Sequence, residues 1–452
     1  MTKNMTEGNP LKLIIQFALP LLAGNLFQQM YNIVDAAIVG RYLGEDALAS
    51  VGASSSVQFL VLGFCIGICC GFSIPVAQRF GAGDEKAMRS HIFHAGVLTA
   101  VFAVLLTILC GALCPQILRV LSTPKDIYAG AYSYLLIIFL GIPFSLLYNL
   151  LSGILRAVGD SATPFKFLVL STLLNIVLDL LCIVCFGLGC AGAAIATITA
   201  QAVSGISCLF YIKRKFPVLH LQKEDCKLKT SGVRIMAFMG IPMGLQYSIT
   251  AIGSMVMQSA NNGLGSVYVS GFTAAMRIKQ FAMCPFDAIA TAVSTFASQN
   301  LGAGKIERIK KGIREGITVG VLYGIVIGAI MIFGGRFFSM LFIRKSATAV
   351  LDASEQYLRC LGLFYWVIGI LNVCRMTIQG LGYSGRAIFS GMLEMVARIT
   401  VSLIFVPRYG FLAICFTDQS AWISAAIYVA ITLFWLVKKE EKRQQAHRQA
   451  VN

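Results

Sequence analysis

Long apolar runs recur along the whole chain, separated by short segments that carry most of the charged residues. A helix needs about 20 mostly apolar residues to cross about 30 Å of hydrocarbon. Twelve runs meet this requirement, so the pattern predicts twelve transmembrane helices. Their approximate bounds are 11–39, 50–77, 90–114, 130–155, 164–186, 190–212, 233–258, 267–298, 315–341, 352–376, 387–406 and 411–437.

The composition supports this interpretation. Of 452 residues, 57% are hydrophobic and 13% are charged, whereas soluble proteins average about 25% charged residues. A soluble multi-domain enzyme is therefore excluded, and an all-α polytopic membrane protein is predicted. The first run contains Pro20 and Asp35 and ends in no small-residue cleavage site, which indicates a retained helix rather than a cleaved signal peptide.

The charge is strongly basic, with 37 Lys and Arg against 20 Asp and Glu. If the amino terminus is cytoplasmic, 26 basic residues fall in cytoplasmic segments and 7 in external ones. Because cytoplasmic loops carry the excess of Lys and Arg, we expect a plasma (inner) membrane protein with both termini in the cytoplasm. The basic balance then reflects topology, and no nucleic-acid partner is expected.

An internal repeat divides the chain. RFGAGDEKAMR at 79–89 recurs as NLGAGKIERIK at 300–310, an offset of 221, and Pro20 matches Pro242 at an offset of 222. A third match, between LRAVGDS and IQGLGYS, has an offset of 223. Near-constant offsets at three places predict two homologous six-helix halves.

We therefore expect an N-lobe at 1–212, a cytoplasmic linker at 213–232, a C-lobe at 233–437 and a cytoplasmic tail at 438–452. With six helices in each half, the repeats have the same orientation in the membrane. Parallel repeats are a transporter architecture, with the substrate path at the interface between the halves.

Five carboxylates lie at least four residues inside the predicted spans, where ionisable groups are costly and mark functional sites: Asp35, Asp179, Asp287, Glu394 and Asp418. At about 1.5 Å of rise per residue, Asp35 and Asp179 reach similar depths in the outer half of the membrane. Asn175 lies one turn from Asp179 on the same helix face, and Thr197 reaches this depth on the following helix.

These four side chains form an oxygen-only cluster. Hard cations take oxygen ligands, and two nearby carboxylates do not both ionise easily. The cluster therefore suits either a Na⁺ or an H⁺. The alternative is that Asp35 caps irregular backbone and that Asp179 extends to the outer surface.

Several motifs together resemble the multidrug and toxic compound extrusion (MATE) transporters, particularly their DinF-like branch. They are FALPLL, YNIVDAAIVG, PVAQRFGAGD, STFASQNLGAGK, LRAVGDSATP and NIVLD followed by GAAIAT. The resemblance implies two lobes that form a V-shaped cleft and a monomer that exports small organic, often cationic, compounds across the lipid bilayer. Such a transporter exchanges its substrate for H⁺ or Na⁺ by alternating access, has no cofactor besides that ion, and is not an enzyme.

The resemblance also implies roles for single residues. In the DinF-like branch, a first-helix carboxylate is central to coupling, which here is Asp35, and the N-lobe cation site adds residues that match Asn175, Asp179 and Thr197. The NorM-like branch uses carboxylates in the seventh and tenth helices. This sequence has Gln246 in the seventh predicted span and Asn372 in the tenth, and no carboxylate in either apart from Asp352 and Glu355 in the first four residues of the tenth, so coupling through the C-lobe is not expected.

Further residues are candidates for the substrate cleft and for a hinge. The candidate substrate cleft is lined by Met30, Tyr31, Gln246, Met257 and Phe281, although such residues are also common on lipid-facing or core surfaces. Pro20 is a candidate hinge, because proline removes a backbone donor from a helix; packing of small residues is an equal alternative.

The remaining membrane charges receive no transport role. Glu394 and Arg398 have the i, i+4 spacing of a structural ion pair. For Arg277 and Lys279 we expect either extension towards the outer surface or pairing with Asp287; Asp418 has no assigned role.

Two other functions stay open at this point. One is a lipid-linked oligosaccharide flippase with a related fold, which should have a cationic cavity for a pyrophosphate headgroup. The other is a membrane-embedded enzyme, for which the sequence offers no carboxylate partner to the histidine pair at 91 and 94.

Overall fold

The computed structural model describes residues 4–121 and 123–451, apart from the side chains of 45, 48, 53, 447, 448, 450 and 451. The described part is helical and contains no β-strand. Within these residues, ten helices are long and apolar enough to span a membrane, and the number rises to twelve if each of two bent helix pairs is one span. The predicted count and order of spans are confirmed.

We label these spans α1 to α12, with α4 and α10 each built from two segments. They are α1 Pro10–Leu43, α2 Glu45–Gly81, α3 Glu85–Val120, α4 Lys125–Leu140 and Ile142–Ala157, α5 Ala162–Leu180, α6 Gly189–Lys215, α7 Thr230–Asn262, α8 Ser266–Gly302, α9 Ile306–Ser339, α10 Thr348–Gly362 and Tyr365–Gly380, α11 Ser384–Thr400, and α12 Phe411–Val451.

The two bent spans occupy equivalent places in the two halves. The segments of α4 meet at 46° around Gly141, next to Pro143, and those of α10 meet at 56°. Proline is tolerated in a first helical turn, where its missing donor has no partner. Pro143 therefore lies in the first turn of the second α4 segment, after the break, and not inside one continuous helix. By contrast, Pro20 lies inside the continuous α1.

Local backbone geometry repeats as well. A π-helical turn follows α5 at Leu181–Cys185 and another follows α11 at Val401–Phe405, an offset of 220. Gly189 and Gly410, at the starts of α6 and α12, both have φ of 58°, an offset of 221. The repeat seen in the motifs thus extends to turns that the motifs do not include.

The chain forms two compact units. Unit 1 contains Ala23–Ser248, and unit 2 contains Met5–Leu22 and the chain from Ile249 onward. These units differ from the predicted lobes at 1–212 and 233–437, because α1 and α7 each divide their residues between the units.

Small residues explain why the first part of α7 packs in unit 1. A Cβ added to Gly67 of α2 would lie 2.7 Å from the Cα of Gly244, and one added to Gly71 would lie 2.6 Å from the Cα of Gly240. Two small-xxx-small pairs therefore let α2 and α7 approach backbone to backbone, as is common between membrane helices.

The first part of α1 packs in unit 2 through apolar side chains. Its Ile14, Phe17 and Ala18 share a buried apolar cluster with Ala288 and Ala292 of α8.

Polar contacts hold the segment before α1 in unit 2. The Met5 amide donates to Gln299 Oε1 at 2.8 Å, and Asn300 Nδ2 donates to the Met5 carbonyl at 3.1 Å. The second copy of the repeated motif, SQNLGAGK, thus anchors the start of the chain.

Candidate cation site

Three helices of unit 1 bring the four predicted oxygen-bearing side chains together. Asn175 and Asp179 are one turn apart on α5 and are both buried. Only the three residues 186–188 separate the π-helical turn after α5 from α6. This short connection places Thr197 beside α5, with its Oγ1 3.3 Å from the carboxamide of Asn175.

The carboxyl groups of Asp35 and Asp179 lie within hydrogen-bonding reach of each other. In the described part of the chain, the Oδ1 atoms of both are buried and have no hydrogen-bond partner, and neither carboxylate forms an ion pair. Two unit charges about 4 Å apart repel by about 4 kcal/mol at an effective dielectric constant of about 20. The pair therefore requires a proton or a cation.

The carboxamide of Asn175 is oriented by its neighbours. With Nδ2 turned towards Asp179, it donates to Asp179 Oδ2 at 3.0 Å and to Tyr31 Oη at 2.7 Å, while Oδ1 accepts from the Thr197 amide at 3.0 Å. The opposite orientation would leave oxygen facing oxygen, so the hydrogen-bond network selects this one. Asn175 thus holds one carboxylate and connects α5 to α1 and α6.

Tyrosines complete the site. Tyr31, expected in a substrate cleft, lies in this cluster and also bonds to the Thr197 hydroxyl. Its spacing of four residues from Asp35 places both on one face of α1, a signal that was available in the sequence. Tyr134 of α4 and its partner Gln58 of α2 come from distant segments without such a signal.

The donor set fits a hard monovalent cation or a proton. Carboxylate, carboxamide and hydroxyl oxygens are the ligands that hard cations take. Among the described residues, no group of three or more His, Cys, Asp and Glu side chains could hold a metal ion.

Comparison with known proteins identifies the family. The MatE family model matches this chain twice, at residues 20–181 and 242–404. The chain belongs to the MatE family. Its two matches begin 222 residues apart, in agreement with the repeat.

Named relatives are transporters that match most of the chain. "Probable multidrug resistance protein YpnP" of Bacillus subtilis is 35% identical and aligns over 93% of this chain and 91% of that protein. "Probable multidrug resistance protein NorM" of Thermotoga maritima is 26% identical over 97% and 95% of the two chains. This MatE protein is therefore a multi-pass membrane transporter and not an enzyme; its DinF-like branch stays a prediction.

Solved structures show the same fold. A crystal structure of MATE in complex with MaL6 has a TM-score of 0.91 at 23% identity and covers 98% of this chain and 100% of that chain. A MOP superfamily transporter from Pyrococcus furiosus has a TM-score of 0.89 at 22% identity, with 99% of each chain covered.

The other proposed cleft residues do not form one site within a unit. Gln246 is buried in unit 1, and Met257 is buried in the core of unit 2. Met30 is exposed on α1, and Phe281 is half-buried on α8. Their joint role in substrate binding stays a prediction.

Unit 2 of this MatE protein contains buried ion pairs. The predicted pair of Glu394 and Arg398 is confirmed, at 3.5 Å. The expectation for Lys279 was wrong: its ammonium is buried and contacts Asp418 at 2.5 Å, not Asp287. Asp287 instead accepts from Asn372 Nδ2 at 3.0 Å. The partner of Lys279 lies 139 residues away, a distance that no helical spacing rule reaches.

Proposed function

We propose that this protein exports small organic compounds from the cell, as a monomer, in exchange for H⁺ or Na⁺. Two sets of observations support the proposal. Relatives are named multidrug resistance and multidrug export proteins. The observation that carries the ion coupling is the buried pair of Asp35 and Asp179, which lacks a basic partner in the described structure.

The geometry favours a proton in this conformation. Two carboxyl groups within hydrogen-bonding reach share a proton readily, because only a protonated carboxyl can donate to the other. The carboxamide of Asn175 donates to Asp179, and a bound Na⁺ would instead require its oxygen to turn inward. A Na⁺ site would use the same four side chains after that rotation.

The path of α1 supports a coupling route. Asp35 belongs to unit 1, while the start of α1 up to Leu22 belongs to unit 2. Pro20 lies two residues before this division and has no backbone N–H to donate. We propose that ion binding at Asp35 changes the bend of α1 near Pro20 during alternating access, to the extent that the ion prefers one state over the other.

The charge of the site favours organic cations as substrates. A cationic compound and the coupling ion would both be attracted by the same pair of carboxylates, so each promotes release of the other. A flippase for pyrophosphate-linked oligosaccharides needs the opposite polarity, and the names of the relatives also favour export.

Efflux from proteoliposomes under separately imposed Na⁺ and pH gradients tests the proposal. We expect one gradient to drive export of a fluorescent organic cation in the wild type. Asp35→Asn and Asp179→Asn should abolish this dependence. The expected loss of the gradient's effect on export is about 5- to 150-fold, the range of typical coupling energies. Asp126→Asn, an exposed carboxylate at the start of α4, is the matched control. Full gradient-driven export by Asp35→Asn would refute the assignment.

The hinge has its own test. Pro20→Ala restores a backbone donor, straightens α1 and should slow transport, while binding of the ion to the Asp35 cluster stays unchanged. Transport rates and ion-dependent thermal stability, measured on the same preparation, separate the two effects. Unchanged turnover would exclude the bend near Pro20 from the transport cycle.

A further inference from the structure

Unit 2 contains side chains at the positions that correspond to the cation site of unit 1. Positive-φ glycines mark the register: Gly44 and Gly265 precede α2 and α8 at an offset of 221. The same helices end at Gly81 and Gly302, again 221 apart. Because the offset is constant along this helix pair, Gln58 of unit 1 corresponds to Lys279 of unit 2.

Two further pairs follow in the same way. Gly189 and Gly410, 221 apart, align Thr197 of α6 with Asp418 of α12. Gly159 and Gly382 have φ of 84° and 92° and are 223 apart.

This last offset aligns Tyr134 of α4 with Tyr357 of α10. On α11, Glu394 and Arg398 have the i, i+4 spacing of Asn175 and Asp179. Both pairs end within three residues of a π-helical turn. The two clusters therefore occupy corresponding levels of their units.

The cluster of unit 2 differs in its charge. Asp418 Oδ2 accepts from Lys279 Nζ at 2.5 Å and from Tyr357 Oη at 2.6 Å, and Oδ1 accepts from Arg398 Nε at 3.1 Å. Lys279 is 9% exposed, and its ammonium lies 5.2 Å from the ring centroid of Trp422. Every oxygen of this carboxylate has a cationic partner, whereas Asp35 and Asp179 of unit 1 have none in the described structure.

We propose that Lys279 is a tethered cation, whose ammonium takes in unit 2 the place of the free ion that unit 1 binds. The buried negative charge of Asp418 is then permanently neutralised in unit 2. Transport therefore uses one ion site instead of two. The comparison with unit 1 rests on the proposed function; the charge-balancing role of Lys279 does not.

Removal of the Lys279 ammonium should therefore destabilise unit 2. Removing one partner of a buried ion pair leaves an uncompensated charge and is strongly destabilising. Without the ammonium, the vacated space beside Asp418 and Tyr357 would accept a small monovalent cation. Binding to the folded state would then raise stability in proportion to the logarithm of the cation concentration.

The test uses the full-length protein with Asp35→Asn and Asp179→Asn, which removes the two carboxylates of the cation site in unit 1. Into this background we introduce Lys279→Gln, the residue type of the first half, and Lys279→Met, which keeps length without charge. Thermal unfolding in detergent is followed with added NaCl, LiCl or methylammonium chloride, with choline chloride holding ionic strength constant.

We expect both Lys279 variants to unfold at lower temperature than the background. At least one of the three cations should raise their Tm progressively with the logarithm of its concentration, by about 2 °C or more, without raising that of the background. Equal stability of variants and background, or lowered stability that none of these cations restores, overturns the proposal.

A paired variant covers the case in which the single variants do not fold. Lys279→Met with Asp418→Asn removes both charges and should restore folding, since the pair is then neutral. Failure of this pair to fold would show that Lys279 acts through packing and would also overturn the proposal. Because the readout is stability in a background without Asp35 and Asp179, it is independent of whether the unit 1 site drives transport.

Discussion

Single side chains decide how each unit balances its buried charge. In unit 1, hydroxyl and carboxamide groups surround Asp35 and Asp179. In unit 2, Lys279 and Arg398 neutralise Asp418. Buried charges persist only when they are paired or bound to an ion, so we expect the first arrangement, but not the second, to respond to ion concentration.

Tyr31 is the first of these side chains to test. Tyr31→Phe removes the hydroxyl that lies 2.7 Å from Asn175 Nδ2 but keeps the ring. The net contribution of one hydrogen bond to the free energy is about 0.5–1.5 kcal/mol. The apparent affinity for the coupling ion should therefore fall by about 2- to 10-fold. Ion titrations of transport measure this shift. An unchanged half-maximal ion concentration would place Tyr31 outside the ion site.

Asp225 ties the linker between α6 and α7 to α3. Burial alone would raise its pKa, but donors from the Gln222 amide at 3.0 Å and Arg89 Nε at 2.8 Å outweigh burial and lower the pKa. A lowered pKa means that the tether is fully present above the ordinary carboxyl value and is lost only as pH falls through the lowered one. Linker docking should therefore not change between about pH 5 and 8.

Limited proteolysis checks this tether. Asp225→Asn should speed tryptic cleavage at the exposed Lys227 and Lys229, and wild-type cleavage should show no pH-dependent step beyond that of trypsin itself. Asp352→Asn, at an exposed ion pair, is the control. Equal cleavage of wild type and Asp225→Asn would show that the contact does not hold the linker.

Among the helices, the crossing of α2 and α7 is the most constrained contact in unit 1. A Cβ on Gly71 would lie 2.5 Å from the Met239 carbonyl oxygen, and backbone atoms cannot move aside as a flexible side chain can. Overpacking of this kind costs about 1–3 kcal/mol.

Gly71→Ala should therefore lower the yield of folded protein and its Tm. Gly96→Ala in α3 is the matched control, since an added Cβ meets nothing within 4 Å there. Size-exclusion profiles and thermal unfolding in detergent compare the two variants. Wild-type behaviour of Gly71→Ala would mean that α2 and α7 are less closely packed than described.

For the whole molecule, two exposed cysteines report the orientation in the membrane. Cys226 lies in the linker expected in the cytoplasm, and Cys185 is the last residue of the π-helical turn after α5, at the end of the span expected outside. A membrane-impermeant maleimide should label Cys185 in right-side-out vesicles and Cys226 in inside-out vesicles. Cys185→Ser and Cys226→Ser identify each signal. Labelling of Cys226 from outside would show that the orientation is the opposite of the predicted one.

Hydropathy and spacing determined much of this protein from the sequence alone. The twelve spans follow from the length of apolar helix that a bilayer requires. The pairing of Asn175 with Asp179 follows from helical periodicity. The repeat follows from matching motifs, because the two copies of a duplicated sequence stay separated by a nearly constant number of residues.

Tertiary structure alone decided which distant groups meet. The division of α7 between units depends on close helix contacts at small residues, and that of α1 on an apolar cluster with α8. Hydropathy does not distinguish either from any other apolar stretch. Likewise, the partner of Lys279 is set by how α8 and α12 pack, and Tyr134 reaches the site only through the packing of α4. Periodicity relates residues within one helix, whereas contacts between helices depend on the shape of both surfaces.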